Sequence, residues 1–343
     1  MTDETRIIDP TRQAKQPRPT AQPSRKRRRM SRGQRWVIRL LLLAVILAFL
    51  AVAAVFLTDF RMGDAGTLSA LSPGSGTYLI VGSDTRENLP DDLEGNFGDF
   101  AGARADVIML MQVVDGSRQL LSIPRDLKVD IPGNGTNKVN AAYAFGGPDL
   151  LVESVSQATG IPINHYMEVD FGGFAGIVDA LGGIQLDFPF PARDLKSGLQ
   201  VDEAGLQTVD GATALAYARS RSYEELHDGE WVAADGGDIA RTGRQRQVLL
   251  EIIGKASSPS GLVRSPAVLT EVTGNLTVDS TVSPARLIRT AWSMRSADET
   301  QAVTLPVVGS NEGGVSYVVR SEPAATETIE AFIAGRRLPE PEG

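Results

Sequence analysis

Arginine and aspartate gather in four short stretches of this chain, each at a predicted strand end or turn. The first is Gly82-Ser83-Asp84-Thr85-Arg86, directly after an apolar run, and the second is Arg104-Ala105-Asp106, opening another. The third, Ser122-Ile123-Pro124-Arg125-Asp126, closes a third apolar run. The fourth joins Tyr217-Ala218-Arg219-Ser220-Arg221 to Asp238-Ile239-Ala240-Arg241-Thr242-Gly243-Arg244-Gln245-Arg246-Gln247. An aspartate that begins or ends a buried strand can aim its carboxylate into a shared crevice. Two of them, Asp84 and Asp106, suit a hard divalent cation that takes oxygen ligands. Guanidinium forks match phosphate oxygens two at a time and stay charged when partly buried. Several arginines with two aspartates therefore have the composition of a magnesium–pyrophosphate site. An all-carboxylate cluster would suit calcium, and two carboxylates without arginine would suit a glycosidase. The rival reading, mutual surface salt bridges, is set aside for the group as a whole because several members flank apolar strands. Arg246 and Arg118 are the two expected to be merely solvated.

The elements that must position these residues are a mixture of strands and helices. Thr77–Gly82 is a short apolar run bounded by turn residues and predicts a strand. Asp106–Val114 and Gln119–Ile123, separated by Asp115-Gly116-Ser117-Arg118, predict a hairpin. Helices are expected over 148–159, 171–181, 211–219, 241–256, 284–295 and 322–333, with further strands at 184–188 and 302–308. This mixture argues for a single α/β or α+β domain, a mixed sheet covered by helices. Residues 58–76 read as a tether ending in a Gly/Ser/Pro turn cluster, and 336–343 as a tail. No internal repeat of solenoid period is present.

Composition narrows the setting. The chain has 343 residues, no cysteine and a net charge of −8, so disulfides, thiolate metal sites and a cysteine nucleophile are excluded. The charge is unevenly spread: residues 1–39 hold 12 Lys/Arg against three acids, and the remainder holds 22 basic against 39 acidic residues. An acidic bulk makes a nucleic-acid partner unexpected. Residues 40–57, LLLLAVILAFLAVAAVFL, carry no charge, and with 36–39 they are long enough to cross a bilayer as a helix. The Arg25–Arg29 basic cluster just before the span puts the N-terminus in the cytoplasm and the rest outside. A cleaved signal peptide fits less well, since the basic region and the apolar core are both too long. Residues 1–35 read as a disordered basic tail. The expected localisation is the cell membrane, with one spanning helix at 36–57 and a domain at 77–335 outside.

Taken together, GSDTR, RADVIML, SIPRDL, NKVNAAYAFGG, YARSR and DIARTGRQRQ resemble the LytR-CpsA-Psr family, which attaches wall polymers to peptidoglycan. The resemblance covers residues 77–256 in the family's segment order. It implies an α/β/α sandwich with a central mixed sheet, outside the membrane and preceded by one transmembrane helix. It also implies a groove for a polyprenyl-pyrophosphate-linked glycan donor, peptidoglycan as acceptor and a phosphotransfer assisted by Mg²⁺, with Mn²⁺ as the alternative ion. By motif, Asp84 and Asp106 match the metal-associated aspartates. Arg86, Arg104, Arg125, Arg219, Arg221 and Arg241 match the pyrophosphate-binding arginines, and Gln245 a polar residue four positions on. Lys138 and Asn140 fall in the K-x-N-A-A-Y segment and, with Arg244, are expected at the substrate. Asp84, Asp106, Arg125 and Arg241 are expected to act in catalysis, one of the two aspartates as base. Two stretches depart from the family pattern, 87–103 and 222–237, and their Gly/Asp/Glu content reads as mobile rim loops.

No nucleophilic side chain is required. His165 and His227 lie outside the shared segments, which leaves a Ser/His hydrolase without support, and His165 is expected as a packed or surface histidine. An apolar slot for the lipid is sought in Val139–Phe145, Phe171–Leu181 and Val248–Ile253, most of which should be ordinary core. The alternatives are a lipid pyrophosphatase using water and a non-catalytic, membrane-anchored binding or regulatory protein.

Overall fold

The strand expected at Thr77–Gly82 lies inside a seven-stranded sheet, with Leu79 and Val81 buried on one face and Tyr78 packed on the other. The computed structural model describes residues 62–74, 76–83, 104–114, 117–234, 238–257, 270, 272–293 and 301–339. These all belong to one unit, Val55–Gly343. The expected spanning segment 36–57, the basic tail, Asp84, Arg86 and the stretch 87–103 lie outside the described residues. Among the described residues no helix is long and apolar enough to cross a membrane.

In chain order the first strands are β1 (Gly63–Asp64), β2 (Thr77–Ser83), β3 (Ala105–Val114), β4 (Ser117–Ser122), β5 (Lys128–Ile131), β6 (Gly135–Lys138) and β7 (His165–Asp170). Then follow β8 (Ile184–Phe188), β9 (Ala192–Asp194), β10 (Leu199–Val201), β11 (Gly205–Val209), β12 (Glu224–His227) and β13 (Glu230–Ala233). The last are β14 (Thr277–Val278), β15 (Gln301–Thr304), β16 (Val307–Glu312) and β17 (Val315–Arg320). The described helices are α1 (Ala141–Thr159), α2 (Phe171–Ala180), α3 (Gly211–Arg219), α4 (Asp238–Ser257), α5 (Pro284–Ser293) and α6 (Ala324–Ile333).

The central sheet runs β1-β14-β7-β2-β3-β4-β15 and is mixed. Strands β7 and β2 are parallel, β3 is antiparallel to both β2 and β4, and β4 and β15 are parallel. The hairpin expected around Asp115-Gly116 is borne out by the pairing of Val114 with Ser117. One core packs α1 and α6 residues such as Leu151, Val155, Ile329 and Phe332 against Leu79, Val81 and Leu110. The opposite face packs Tyr78, Met111 and Leu120 against Leu249, Ile253 and Leu287 of α4 and α5. Helices thus cover both faces, since strands buried on both sides carry apolar residues at successive positions. Burying one such Leu or Val side chain contributes roughly 1.5–3 kcal/mol. A third cluster joins Val178, Phe188, Ala214, Tyr217 and Val248 under α2, α3 and α4.

Helix starts follow from side-chain chemistry. Asp170 caps α2 by accepting from the Gly173 N–H at 2.6 Å, and Asp210 caps α3 by accepting from the Thr213 N–H at 2.8 Å. Such caps are each worth about 1 kcal/mol. Helix α1 begins seven residues before the expected 148, ahead of a kink at Gly146, Gly147 and Pro148. The backbone there leaves the helical region, which hides the first turns from a periodicity reading.

Two expectations are corrected. Residues 62–74 are part of the domain rather than a tether: β1 pairs with β14, Leu68 enters the core, and Ser69 Oγ donates to Asp149 at 2.6 Å. The stretch 222–237, read as a rim loop, contains the β12–β13 hairpin, which extends β9 and β10 into a four-stranded sheet.

Candidate functional site

Strand direction brings the charged segments together. Strands β2, β4 and β7 run the same way and finish at one edge of the sheet, where the antiparallel β3 starts. The edge therefore collects Ser83, Arg104, Asp106, Arg125 and Asp170 from distant parts of the chain. Between Gly82 and Ser83 the register shifts, so that Gly82 faces Val107 and Ser83 faces Ala105. Asp106 is the extra residue of this bulge, a device that re-aims a side chain out of the ladder. Gly82 is required beside it, because a Cβ there would stand 2.9 Å from Val107 Cβ.

Asp106 accepts a charge-assisted hydrogen bond from Arg125 Nη1. Arg125 Nε also lies 3.7 Å from Asp126, which pairs with Lys138 Nζ at 2.8 Å. The K-x-N-A-A-Y segment braces this corner from behind. The Asn140 N–H donates to the Arg125 carbonyl at 3.2 Å, and the Val139 N–H to the Leu127 carbonyl at 2.8 Å. Tyr143 and Tyr166 both donate their hydroxyls to Glu168 at 2.6 Å, fastening α1 to β7. Burial and the adjacent Glu168 charge push the Tyr166 phenol far above its ordinary value, so it remains a donor.

A cavity of about 770 Å³ opens beside Asp106. Its polar wall carries Asp106, Arg219, Arg221, Arg241 and Gln245, five of the residues named from sequence, together with Asp170 and Asp194, which were not. Glu168, Lys196, Ser197, Thr273 and Thr290 also touch it, and the remainder is apolar, with Ile80, Met109 and Met167 from the sheet and Phe171, Phe174 and Ile177 from α2. Helix α4 spans both regions. Arg241 and Gln245 are one turn apart at the polar end, and Leu249, Ile252, Ile253 and Ala256 continue the same stripe. That spacing places the residues on one helix face and carries the cavity about 22 Å along it. Arg241 is only 4% exposed, and the Arg219 guanidinium lies 5.0 Å from the centre of the Phe171 ring. Of the three apolar stretches proposed for a lipid slot, 171–181 and 248–253 contribute to this cavity. Val139 and Ala142 instead pack in the core on the opposite face of the sheet.

The other expected residues stand as follows. Arg104 is exposed at the start of β3, and Lys138 is held by Asp126. Arg244 is buried, donates to the Ser220 carbonyl at 2.6 Å, and lies over Tyr223 and Tyr217 at 5.0 and 5.8 Å. Arg246, expected to be solvated, is half-buried, and desolvation pushes its pKa down. His165 is packed, with Arg286 Nη1 2.8 Å from Nε2 and Thr281 Oγ1 2.9 Å from Nδ1. Guanidinium nitrogens only donate, so Nε2 carries the lone pair and Nδ1 the proton. These contacts give His165 a structural role.

Among the described residues no three His, Cys, Asp or Glu cluster closely enough to hold a metal by themselves. Asp106 supplies one carboxylate at the polar wall. Magnesium commonly binds through one or two carboxylates plus substrate phosphates, which is the donor set this wall and a pyrophosphate would make together. Two acids of this wall were missed: Asp170, which ends β7 as Asp84 was expected to follow its strand, and Asp194, which ends the short strand Ala192-Arg193-Asp194. No arginine adjoins Asp170 in β7, and Asp194, although preceded by Arg193, ends a strand of only three residues.

Residues 66–333 match the family model described as "LytR_cpsA_psr family". The chain belongs to the LytR-CpsA-Psr family. Within it, the chain is 36% identical over 274 residues to "Probable cell wall biosynthesis protein LcpB" of Corynebacterium glutamicum, covering 78% of this chain and 63% of that protein. It is 34% identical over 215 residues to a "Polyisoprenyl-teichoic acid--peptidoglycan teichoic acid transferase TagU" of Halalkalibacterium halodurans, covering 62% of each. The aligned part thus spans under two thirds of those relatives. Among solved structures, a "LytR-Csp2A-Psr enzyme from Actinomyces oris" superposes with a TM-score of 0.61 at 29% identity, over 79% of this chain and 96% of that one. A structure titled "TagT bound to LIIa-WTA", 24% identical with a TM-score of 0.59, shares the fold over 80% of this chain and 99% of its own.

Proposed function

We propose that this LytR-CpsA-Psr protein is a phosphotransferase that moves a glycopolymer phosphate from a polyprenyl-pyrophosphate carrier to a sugar hydroxyl of peptidoglycan. The carrying observation is a single cavity whose wall changes from Arg219, Arg221 and Arg241 to aliphatic side chains along one face of α4. A ligand with two phosphates at one end and an isoprenoid at the other matches that polarity. Relatives named as teichoic acid transferases support the same class of donor and acceptor. The uncharged stretch 40–57 and the basic cluster before it support a single-pass anchor, with the domain on the outer side of the cell membrane.

The arginines bind and orient the pyrophosphate, and their charge compensates what builds on the transferring and leaving phosphoryl oxygens. The acceptor hydroxyl attacks the phosphorus bonded to the glycan. The anhydride P–O bond breaks, a phosphodiester forms, and polyprenyl phosphate leaves with the bonding electrons. The hydroxyl proton passes to a carboxylate, either Asp106 at the polar wall or Asp84. Arg125 holds Asp106 in place for that task. Asp106 and Asp84 would also hold Mg²⁺, or Mn²⁺, which when bound supplies charge neutralisation at the phosphates. No ATP is needed, because the anhydride bond carries the free energy.

The test is incubation of the purified chain with a polyprenyl-pyrophosphate-linked glycan, Mg²⁺ and peptidoglycan fragments. The expected products are a glycan–peptidoglycan phosphodiester and polyprenyl phosphate in equal amounts. Free glycan phosphate alone would make the protein a pyrophosphatase, and no turnover with any such carrier would leave a binding role.

A further inference from the structure

The two arginines at the end of α3 sit on a turn that other residues hold. Arg219 is the last residue of the helix and Arg221 lies beyond it, exposed, yet both side chains line the cavity. The turn that carries them, Ser220-Arg221-Ser222, is gripped from both sides. On one side, Asp194 Oδ2 accepts from Ser220 Oγ at 2.7 Å, from the Arg221 N–H at 2.9 Å and from the Ser222 N–H at 2.8 Å. Its Oδ1 accepts from the Lys196 and Ser197 N–H groups at 2.8 and 3.3 Å, which ties the same carboxylate to the loop after β9. On the other side, Arg244 donates to the Ser220 carbonyl at 2.6 Å.

Asp194 sits at the wall of a cavity built for anions, where a bare carboxylate would repel the ligand. Its chemistry resolves this. A carboxylate offers about four lone-pair sites, and here both oxygens are saturated by protein donors. The side chain is 1% exposed. Burial alone would raise its pKa, but the Ser220 hydroxyl and the backbone N–H groups of Ser222, Lys196 and Ser197 outweigh this and hold it below the ordinary carboxylate range. The charge is present, and it is met by the Ser220 hydroxyl and by four backbone N–H groups. This is unlike Asp106, which stands at the same wall paired with a side chain.

We propose that Asp194 is a positioning residue for phosphate binding, holding the Ser220–Ser222 backbone so that Arg219 and Arg221 are preset toward the pyrophosphate. The inference rests on the cavity being a pyrophosphate site. It assigns no contact between Asp194 and substrate and no metal to its carboxylate.

The experiment compares the wild-type chain with Asp194→Asn and Ser220→Ala for binding of two probes by titration calorimetry. The probes are geranylgeranyl pyrophosphate and geranylgeraniol, which share the isoprenoid and differ in the phosphates. In Asp194→Asn one amide oxygen remains, and the NH₂ faces donors, so one half of the clamp opens. The expected result is a Kd for the pyrophosphate raised about tenfold or more, with the Kd for the alcohol unchanged. Ser220→Ala removes one of the side chain's partners and is expected to raise the pyrophosphate Kd about threefold, again with the alcohol unaffected. If the asparagine variant does not fold, the alanine variant decides the matter by itself. Unchanged pyrophosphate binding in the folded variants, or equal weakening of both probes, overturns the clamp. A wild-type chain that binds the alcohol and not the pyrophosphate overturns the reading of the cavity, and the clamp with it.

Discussion

Leu249 stands two helical turns beyond Arg241 on the cavity stripe of α4, so a bulky side chain there should block the slot partway along. At 1.5 Å per residue it lies about 12 Å from the arginine, with roughly 10 Å of slot beyond it toward Ala256. Leu249→Trp would fill the middle of a cavity of about 770 Å³ while leaving Arg219, Arg221 and Arg241 untouched. Each tail carbon kept out of the slot forfeits about 0.8 kcal/mol of burial. Four excluded carbons cost about 3 kcal/mol, on the order of 100-fold in affinity. Overpacking is limited because the added ring enters open volume rather than close-packed core; in a filled core it would cost about 1–3 kcal/mol. The assay is calorimetric binding of prenyl pyrophosphates of increasing length. Wild-type affinity should rise with each isoprene unit until the slot is full. The tryptophan variant should match wild type for the shortest tail, then stop gaining. If the variant gains affinity with length as wild type does, the tail does not lie along α4 and the assignment of the apolar wall is wrong.

Arg241→Ala and Arg219→Ala should each lower kcat by about 10²–10³, the usual cost of deleting a donor to developing charge, with the thermal midpoint little changed. Retention of most activity in a folded variant would count against the arginine wall. Gly211→Ala should destabilise the domain by about 1–3 kcal/mol in a denaturant titration, since its Cβ would meet the Ala175 carbonyl oxygen at 2.2 Å where α2 and α3 touch. An unaffected midpoint would show that those helices can separate. Asp279 gives a pH signature. Burial would raise its pKa, but the adjacent His165 ring and hydrogen bonds from the Thr281 side chain and from the Tyr166 and Thr281 backbone hold it at about 2, below its ordinary 3.8. A depressed carboxylate stabilises the fold above its unfolded value, and that contribution, about 2 kcal/mol, is lost as pH falls from near 4 through 2. The stability gap between wild type and Asp279→Asn should therefore shrink between pH 5 and pH 2, and a constant gap would refute the assignment.

Much of the central sheet was legible because its strands carry local signals. Thr77–Ser83 is apolar and bounded by turn residues, and the β3–β4 hairpin announces itself by an Asp-Gly turn. The arginines were legible because they crowd into short segments at element ends, Arg125 after β4, Arg219 and Arg221 at the end of α3 and Arg241 in the first turn of α4. The parts that escaped depend on distant partners. Strands β1 and β14 are two residues each and exist only because β1 pairs with β14 and β14 with β7. Glu224–His227 and Glu230–Ala233 look like loop by composition, and they become strands because Glu224 and Glu225 find Arg193 and Ala192 across the sheet. The Arg193 guanidinium also stacks 4.2 Å from the Trp231 ring centre. Asp194 was unreadable for the same reason, since its meaning lies in Ser220, Arg221 and Ser222, some 26 to 28 positions away.

The most direct test of the account is a crystal structure of the protein with a prenyl pyrophosphate bound. The account predicts phosphate oxygens within about 3 Å of guanidinium nitrogens of Arg219, Arg221 and Arg241, and an isoprenoid running past Leu249 and Ile252 toward Ala256. Phosphates seated away from those three arginines, or a tail lying outside the α4 face, would contradict it.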